Sequence, residues 1–156
     1  LKDLDAERIN RILAVNLTGS MLCAKAAIAR MSTRNGGKGG AIVNLSSAAS
    51  KLGSAHTFLD YAASKGAIDT FTIGLALEVA NEGIRVNAVR PGIIETDIHA
   101  SGGDPERPQR LGPTVPMGRS GSAEEVAAAI IWLLSDDASY TTGTTISIAG
   151  GRGISP

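Results

Sequence analysis

Tyr61-Ala62-Ala63-Ser64-Lys65 sets a phenol and an ammonium four residues apart, and on a helix residues at i and i+4 share one face. A free tyrosine titrates near pH ~10 and is a poor proton acceptor at neutrality. A fixed cation beside a phenol favours the phenolate and brings it into the range of acid/base work. Two hydroxyls, Ser46 and Ser47, close the apolar run Ala41-Ile42-Val43-Asn44-Leu45. If either faces the same pocket, the group can bind a carbonyl oxygen and protonate it.

The elements that must position these residues follow from periodicity. Asp5 is a candidate N-cap, and Ile9, Ile12, Leu13, Asn16, Leu17, Ser20 and Met21 follow at helical spacing to about Met31. Asn35-Gly36-Gly37-Lys38-Gly39-Gly40 stops that helix, and Ala41 to Leu45 is predicted as a buried strand. Ser46 to about Thr57 reads as a small-residue loop. A second long helix is predicted from roughly Phe58 to Asn81, with Tyr61 and Lys65 near its start and Gly83 as its stop. Ile84 to Arg90 is the next strand, ended by Pro91-Gly92. The Gly- and Pro-rich stretch Ile93 to Ser120 is too long for a plain connection and reads as a lid. Ser122 caps a third helix, with Glu124 and Glu125 in its first turn, to about Ser135, and Thr144 to Ile148 is a last strand before Gly150-Gly151. Helices alternating with buried strands indicate an α/β fold with a parallel sheet and right-handed crossovers, in one domain over 1–156.

Composition narrows the classes. At 156 residues the chain is the size of one domain, and fifteen acidic against fifteen basic residues give no sign of a nucleic-acid or anionic-membrane surface. No run is read as approaching the ~20 apolar residues of a membrane span. Leu1-Lys2-Asp3-Leu4-Asp5 contains neither a signal-peptide core nor an initiator methionine. Cys23 is the only cysteine, which excludes an internal disulfide and fits a reducing, cytoplasmic setting; it is expected as a small helix-packing residue.

The ordered set Asn16, Ile42-Val43-Asn44-Leu45-Ser46-Ser47, Tyr61 with Lys65, Arg85-Val86-Asn87 and Pro91-Gly92-Ile93-Ile94-Glu95-Thr96 resembles the C-terminal, catalytic part of the short-chain dehydrogenase/reductase family. The likeness extends from Val15-Asn16-Leu17-Thr18-Gly19 to Thr142-Gly143 and Gly150-Gly151. It implies a Rossmann-like parallel sheet with flanking helices, here about three strands, three main helices and a lid. It also implies an NAD(P)-dependent enzyme interconverting a carbonyl and an alcohol. Tyr61 would then exchange the proton with the substrate oxygen. Lys65 would favour the phenolate and hydrogen-bond the nicotinamide ribose. Ser47, with Ser46 as its rival, would orient the carbonyl, although the interval to Tyr61 is 14 residues where the common pattern has 13. Asn16 would hold a water linking Lys65 to solvent. Pro91, Gly92, Ile94 and Thr96 would line the nicotinamide, through the backbone at Ile94 and the hydroxyl of Thr96. Asn44 and Asn87 are expected to brace the neighbouring loops.

Other features read as structural. Gly36-Gly37-Lys38-Gly39-Gly40 resembles a phosphate loop in composition but precedes a strand, so it is expected to be a flexible surface connection. His56 and His99 are expected at the surface, Asp60 as a solvated cap, and Asp104, Glu106, Arg107 and Arg110 as solvated lid charges. No GxxxGxG precedes the first helix and no Asn-Asn-Ala-Gly segment is present, so the chain resembles a back half that carries catalysis without the glycine-rich cofactor loop. Little activity is expected of the 156 residues alone, and Ala41 to Leu45 is expected to lose a strand neighbour. The resemblance further implies a homo-oligomer, dimer or tetramer, through the two long helices, with Ala24, Ala27, Ala62, Ala63 and Ala67 permitting close approach. A non-catalytic cofactor-sensing or scaffold protein, or a truncated oligomerising fragment, are the competing readings. The substrate, a small carbonyl or alcohol, and the choice of NAD or NADP are not fixed by these residues.

Overall fold

The computed structural model describes residues 4–153; of the opening pentapeptide, Leu1 to Asp3 lie outside them. Helix α1 spans Ala6–Leu13, and Asp5 caps it by accepting from the Arg8 amide at 2.8 Å. The chain then winds through one π-helical turn, Ala14–Thr18, and continues as α2, Gly19–Met31. Together these form a helical run of 26 residues that by length and composition alone would suffice to cross a membrane, where the sequence reading saw none. In this fold one side of that run is tied to the next helix, as the ion pair and hydrogen bond below show.

Strand β1, Gly40–Leu45, is followed by a short helix α3, Ala49–Leu52, and then α4, Leu59–Val79. Strand β2, Ile84–Pro91, pairs parallel with β1, bringing Val43 opposite Asn87 and Leu45 opposite Val89. The stretch after β2 contains two short helices, α5 (Ile98–Ser101) and α6 (Arg107–Leu111). Helix α7, Ala123–Leu134, opens on a capping box between Ser122 and Glu125 and leads to β3, Thr145–Ile148, parallel to β2. The sheet order is β1-β2-β3, so β1 is an edge. Ala41 to Val43 are accordingly half-buried, Gly40 and Leu45 are exposed, and only Asn44 is buried, where a buried strand was predicted.

The sheet separates two cores because alternate strand residues face opposite sides. Ile42, Ile84 and Val86 pack with Ala24 of α2 and Leu75, Ala76 and Val79 of α4. Val43, Val89, Ile146 and Ile148 pack with Val126 and Leu133 of α7. Ala24 and Ala62 are among the buried residues, so they face this chain's own interior and not an outward helix surface, contrary to the expectation for the alanine stripe. Cys23, expected to pack, is exposed instead.

The glycine run is the clearest departure from the sequence reading. It is a tight clamp, not a loose connection. The amides of Gly37, Gly39 and Gly40 donate to Ser32, Met31 and Gly83 carbonyls at 2.8–3.0 Å. Gly39 holds φ +77°, and a Cβ there would lie 2.4 Å from the Gly83 carbonyl oxygen. The segment therefore joins the end of α2 to the start of β2 at a separation only glycine allows.

Candidate active site

Tyr61 and Lys65 lie in the first turns of α4, beside the carboxyl ends of β1 and β2, where open parallel sheets form their crevices. Lys65 is buried, and its Nζ donates to the Leu45 carbonyl at 2.7 Å while standing 5.6 Å from the centre of the Tyr61 ring. Burial pushes the Lys65 ammonium below its ordinary range, opposed by the negative charge of Asp69 one turn further on. Asp69 is itself held by Arg90 at the end of β2, with Nε and a terminal nitrogen both on Oδ2 at 3.0 and 2.9 Å. The pair fastens α4 to the strand that runs into Pro91-Gly92.

The two serines are distinguished by their partners. Ser46 is buried and its hydroxyl donates to the Lys65 carbonyl at 3.2 Å. Ser47 is half-buried, and its oxygen accepts from the Ala49 amide at 3.1 Å, leaving the hydroxyl proton without an acceptor among the described residues. Both border the same cleft as Tyr61 and Lys65.

Asn16 sits in the π-turn, where the Gly19 amide reaches back five residues to the Ala14 carbonyl. Its Nδ2 donates to Ser64 Oγ at 3.0 Å, and Ser64 in turn donates to the Tyr61 carbonyl at 2.7 Å. An asparagine inside a long helix was legible as an anomaly, and the irregular turn that accommodates it was not. A second tie comes from Asp60, which is not a solvated cap: its carboxylate is buried and meets Arg8 Nε at 2.8 Å. That hydrogen bond, followed by the Tyr61 amide on the other oxygen, holds the Asp60 carboxyl below its ordinary range. Of the two asparagines expected to brace loops, Asn87 does so, bridging the Thr141 carbonyl and the Thr144 amide, whereas Asn44 donates to Thr72 of α4 at 2.9 Å and braces a helix instead.

Pro91, Gly92, Ile94 and Thr96 form the opposite wall of a cleft of about 670 Å³ that also holds Asn16, Ser47, Tyr61 and Lys65. Gly92 is required by packing, since a Cβ there would fall 2.8 Å from the Ala149 backbone. Ile94 is pinned by a parallel bridge to Gly121 and by His99, whose Nε2 lies 2.8 Å from the Ile94 carbonyl and must carry the proton, because a carbonyl only accepts. His99 and the lid residues Asp104 and Arg107 line this cleft, where the sequence reading had them solvated. Phe58, Ser64, Asp69, Arg90 and Arg152 were not singled out beforehand. Ser64 lies within the Tyr-Lys interval itself, and Asp69 repeats the i+4 spacing from Lys65, so both carried a usable signal.

With this geometry in place, the chain belongs to the short-chain dehydrogenase/reductase family of oxidoreductases: the family model described as enoyl-(acyl carrier protein) reductase matches residues 1–152. It is similar to the uncharacterized oxidoreductase YgfF of Escherichia coli K12, 62% identical over 152 residues, covering 97% of this chain and 62% of the relative. Glucose 1-dehydrogenase of Gluconobacter oxydans is 43% identical over 151 residues, covering 96% of this chain and 56% of that protein. The crystal structure of acetoin dehydrogenase YohF from Salmonella typhimurium superposes with a TM-score of 0.83 at 33% identity, over all of this chain and 59% of that one. The chain thus spans about half to three fifths of the length of the relatives it matches. The three-stranded parallel sheet with flanking helices is that family's Rossmann-like fold.

Proposed function

We propose that this chain carries the acid/base half of an NAD(P)-dependent oxidoreductase that interconverts a carbonyl and an alcohol, acting within the full-length protein. The observation that carries the reading is the convergence of the Tyr61-Lys65 pair, Ser47 and the Pro91-to-Thr96 wall on one cleft. The residues present suit the nicotinamide-ribose end of such a cofactor. Lys65 keeps two ammonium protons beyond its bond to Leu45, Thr96 offers a hydroxyl, and Pro91, Ile93 and Ile94 supply an apolar wall. When bound, the nicotinamide supplies the hydride that reaches the carbonyl carbon, or accepts it in the reverse direction.

Tyr61 gives the matching proton to the carbonyl oxygen, so that hydride and proton together complete the alcohol. Ser47 donates the hydrogen bond that orients that oxygen, since its proton is not otherwise used, whereas Ser46 spends its own on Lys65. The Lys65 ammonium, 5.6 Å from the centre of the Tyr61 ring, places positive charge near the phenol, which becomes negative as the proton leaves. Asn16, anchored on Ser64, holds the position from which a water can pass a proton between solvent and Lys65.

The test is nicotinamide turnover by the full-length protein over a panel of carbonyls. Tyr61→Phe is expected to lower kcat by about 10²–10⁴-fold, the usual contribution of a positioned acid/base. Equal rates in the two proteins would remove Tyr61 from this role. Outward apolar residues on the two long helices, Val15 and Leu22 on one and Ile73 and Leu77 on the other, support self-association of the protein along that face.

A further inference from the structure

We propose that the substrate of this cleft carries an anionic group, a carboxylate or phosphate, that Arg107 and Arg152 receive. The proposal rests on the carbonyl/alcohol reading above and adds a substrate class to it. Four charged side chains border the cleft: Lys65, Asp104, Arg107 and Arg152. Lys65 stands by the Tyr61 ring, and the negative charge of Asp69, one turn further along the helix, acts on it. Asp104 is neutralised by an ion pair with Arg110. Among the described residues neither Arg107 nor Arg152 meets a carboxylate. Among the described residues, Arg107 and Arg152 are therefore the cleft cations with no counter-charge.

Both arginines line this cleft. The Arg107 guanidinium lies 5.3 Å over the Phe58 ring, a stacking contact that limits its rotation while leaving its N–H edges for a partner. Arg152 follows β3 in a turn closed by its own amide on the Ala149 carbonyl. At the next residue, Gly153, the backbone faces Leu52: a Cβ there would stand 3.7 Å from its side chain. Leu52 ends α3 and Phe58 opens α4, so the two arginines flank a single connection, the one joining β1 to the Tyr61 helix. A guanidinium fork matches the planar oxygens of a carboxylate or phosphate. A substrate with its carbonyl at Tyr61 and its anionic group toward Phe58 and Leu52 satisfies every unspent charge, and Leu52 and Phe58 cover the carbons between.

The experiment compares, in the full-length protein, kcat/KM for oxo acids and for their methyl esters, at low and high salt, alongside calorimetric binding of the acids. The acid is expected to exceed its ester by about tenfold or more, the effect of one charge-assisted contact. That ratio should collapse at high ionic strength in the wild-type protein, which needs no variant to fold. Arg107→Gln and Arg152→Gln should each lower the acid-to-ester ratio about tenfold, mainly through KM for the acid. Equal rates for acid and ester in the wild type would overturn the proposal. So would variants that raise the KM of the nicotinamide cofactor while keeping the ratio, because the charges would then serve a cofactor phosphate. Calorimetric binding of acids that the arginine variants lose, without turnover of any carbonyl, would sustain this inference and defeat the oxidoreductase reading. Turnover of neutral carbonyls alone would do the reverse, and absence of both turnover and acid binding would overturn this inference too.

Discussion

Replacing Asp69 by asparagine isolates the ion pair that clamps the Tyr61-Lys65 helix to the strand leading into Pro91-Gly92. The Asp69 and Arg90 side chains are only 13% and 15% exposed, and their nearest atoms are 2.9 Å apart. At an effective dielectric constant of ~20 the attraction between unit charges at that distance is about 6 kcal/mol. Desolvation of both groups offsets much of it, whereas removing one partner strands the other and costs about 3–5 kcal/mol in buried pairs. The residual exposure argues for the lower end, so Asp69→Asn should destabilise the full-length protein by about 3 kcal/mol. Asp69 Oδ1 is already buried without a hydrogen-bond partner among the described residues, so the amide that replaces it gains nothing there. The assay is urea unfolding of Asp69→Asn, Arg90→Met and the double variant. The double should lose clearly less than the sum of the singles, since the stranded charge is then gone. Loss of Asp69 also removes the charge that opposes the burial of Lys65, so the Lys65 ammonium should titrate still lower. An ammonium depressed in the folded state binds fewer protons there than in the unfolded chain, so stability rises as pH climbs through the folded value toward the ordinary 10.5. In Asp69→Asn that rise should begin at lower pH. A stability loss under about 1 kcal/mol, or strictly additive singles, would refute the clamp.

Four further outcomes follow from local geometry. Gly39→Ala should cost more than about 2 kcal/mol in urea unfolding, because it combines a left-handed backbone with a Cβ at 2.4 Å from Gly83; a change near zero would return the segment to a loose loop. Ser122→Ala should cost about 1 kcal/mol by removing the cap of α7. The Glu125 carboxyl, bonded first by Arg119 and then by the Ser122 amide, is pulled from 4.5 to about 2. Its contribution is therefore full above pH 4.5 and fades as pH falls toward 2, and Glu125→Gln should flatten acid unfolding across that window. Leu77→Glu, at a position 79% exposed on the outward face of α4, should shift the sedimentation coefficient toward a smaller species without altering the secondary structure seen by circular dichroism; an unchanged species would remove α4 from the self-association face.

Much of this arrangement is written in short-range signals. Asp5, Ser122 and Gly83 mark helix ends because their chemistry acts within four residues. The strands carry β-branched runs, and their parallel pairing follows from the helices between them. What escaped the sequence depends on approach between distant segments. The glycines at 37, 39 and 40 read as flexible because composition alone cannot say that Met31 and Gly83 stand within contact distance. Asp60 read as a solvated cap because its partner, Arg8, is 52 residues away. The alanines of α2 and α4 divide between inside and outside by helix rotation, which only the packed sheet fixes, and so Ala24 and Ala62 turned inward.

The same reasoning explains why the Tyr61-Lys65 pair needs the elements packed around it. Tyr61 and Lys65 are set one turn apart by the helix alone, but an isolated α4 would leave both in water, where an ammonium beside a phenol has little effect. Three ties convert the spacing into a site. Arg8 on Asp60 and Asn16 on Ser64 fix the start of α4 against the irregular helix before it, and Arg90 on Asp69 fixes its next turn against β2. Each tie uses a residue adjacent to, or one turn from, Tyr61 or Lys65, and the partners come from two elements, the irregular helix and β2. The helix is thereby held in rotation as well as in position, and rotation decides whether Lys65 reaches the Leu45 carbonyl beside the cleft or points to solvent. Positioning of the pair is a property of the packed helices and sheet, and the five-residue motif marks where that packing converges.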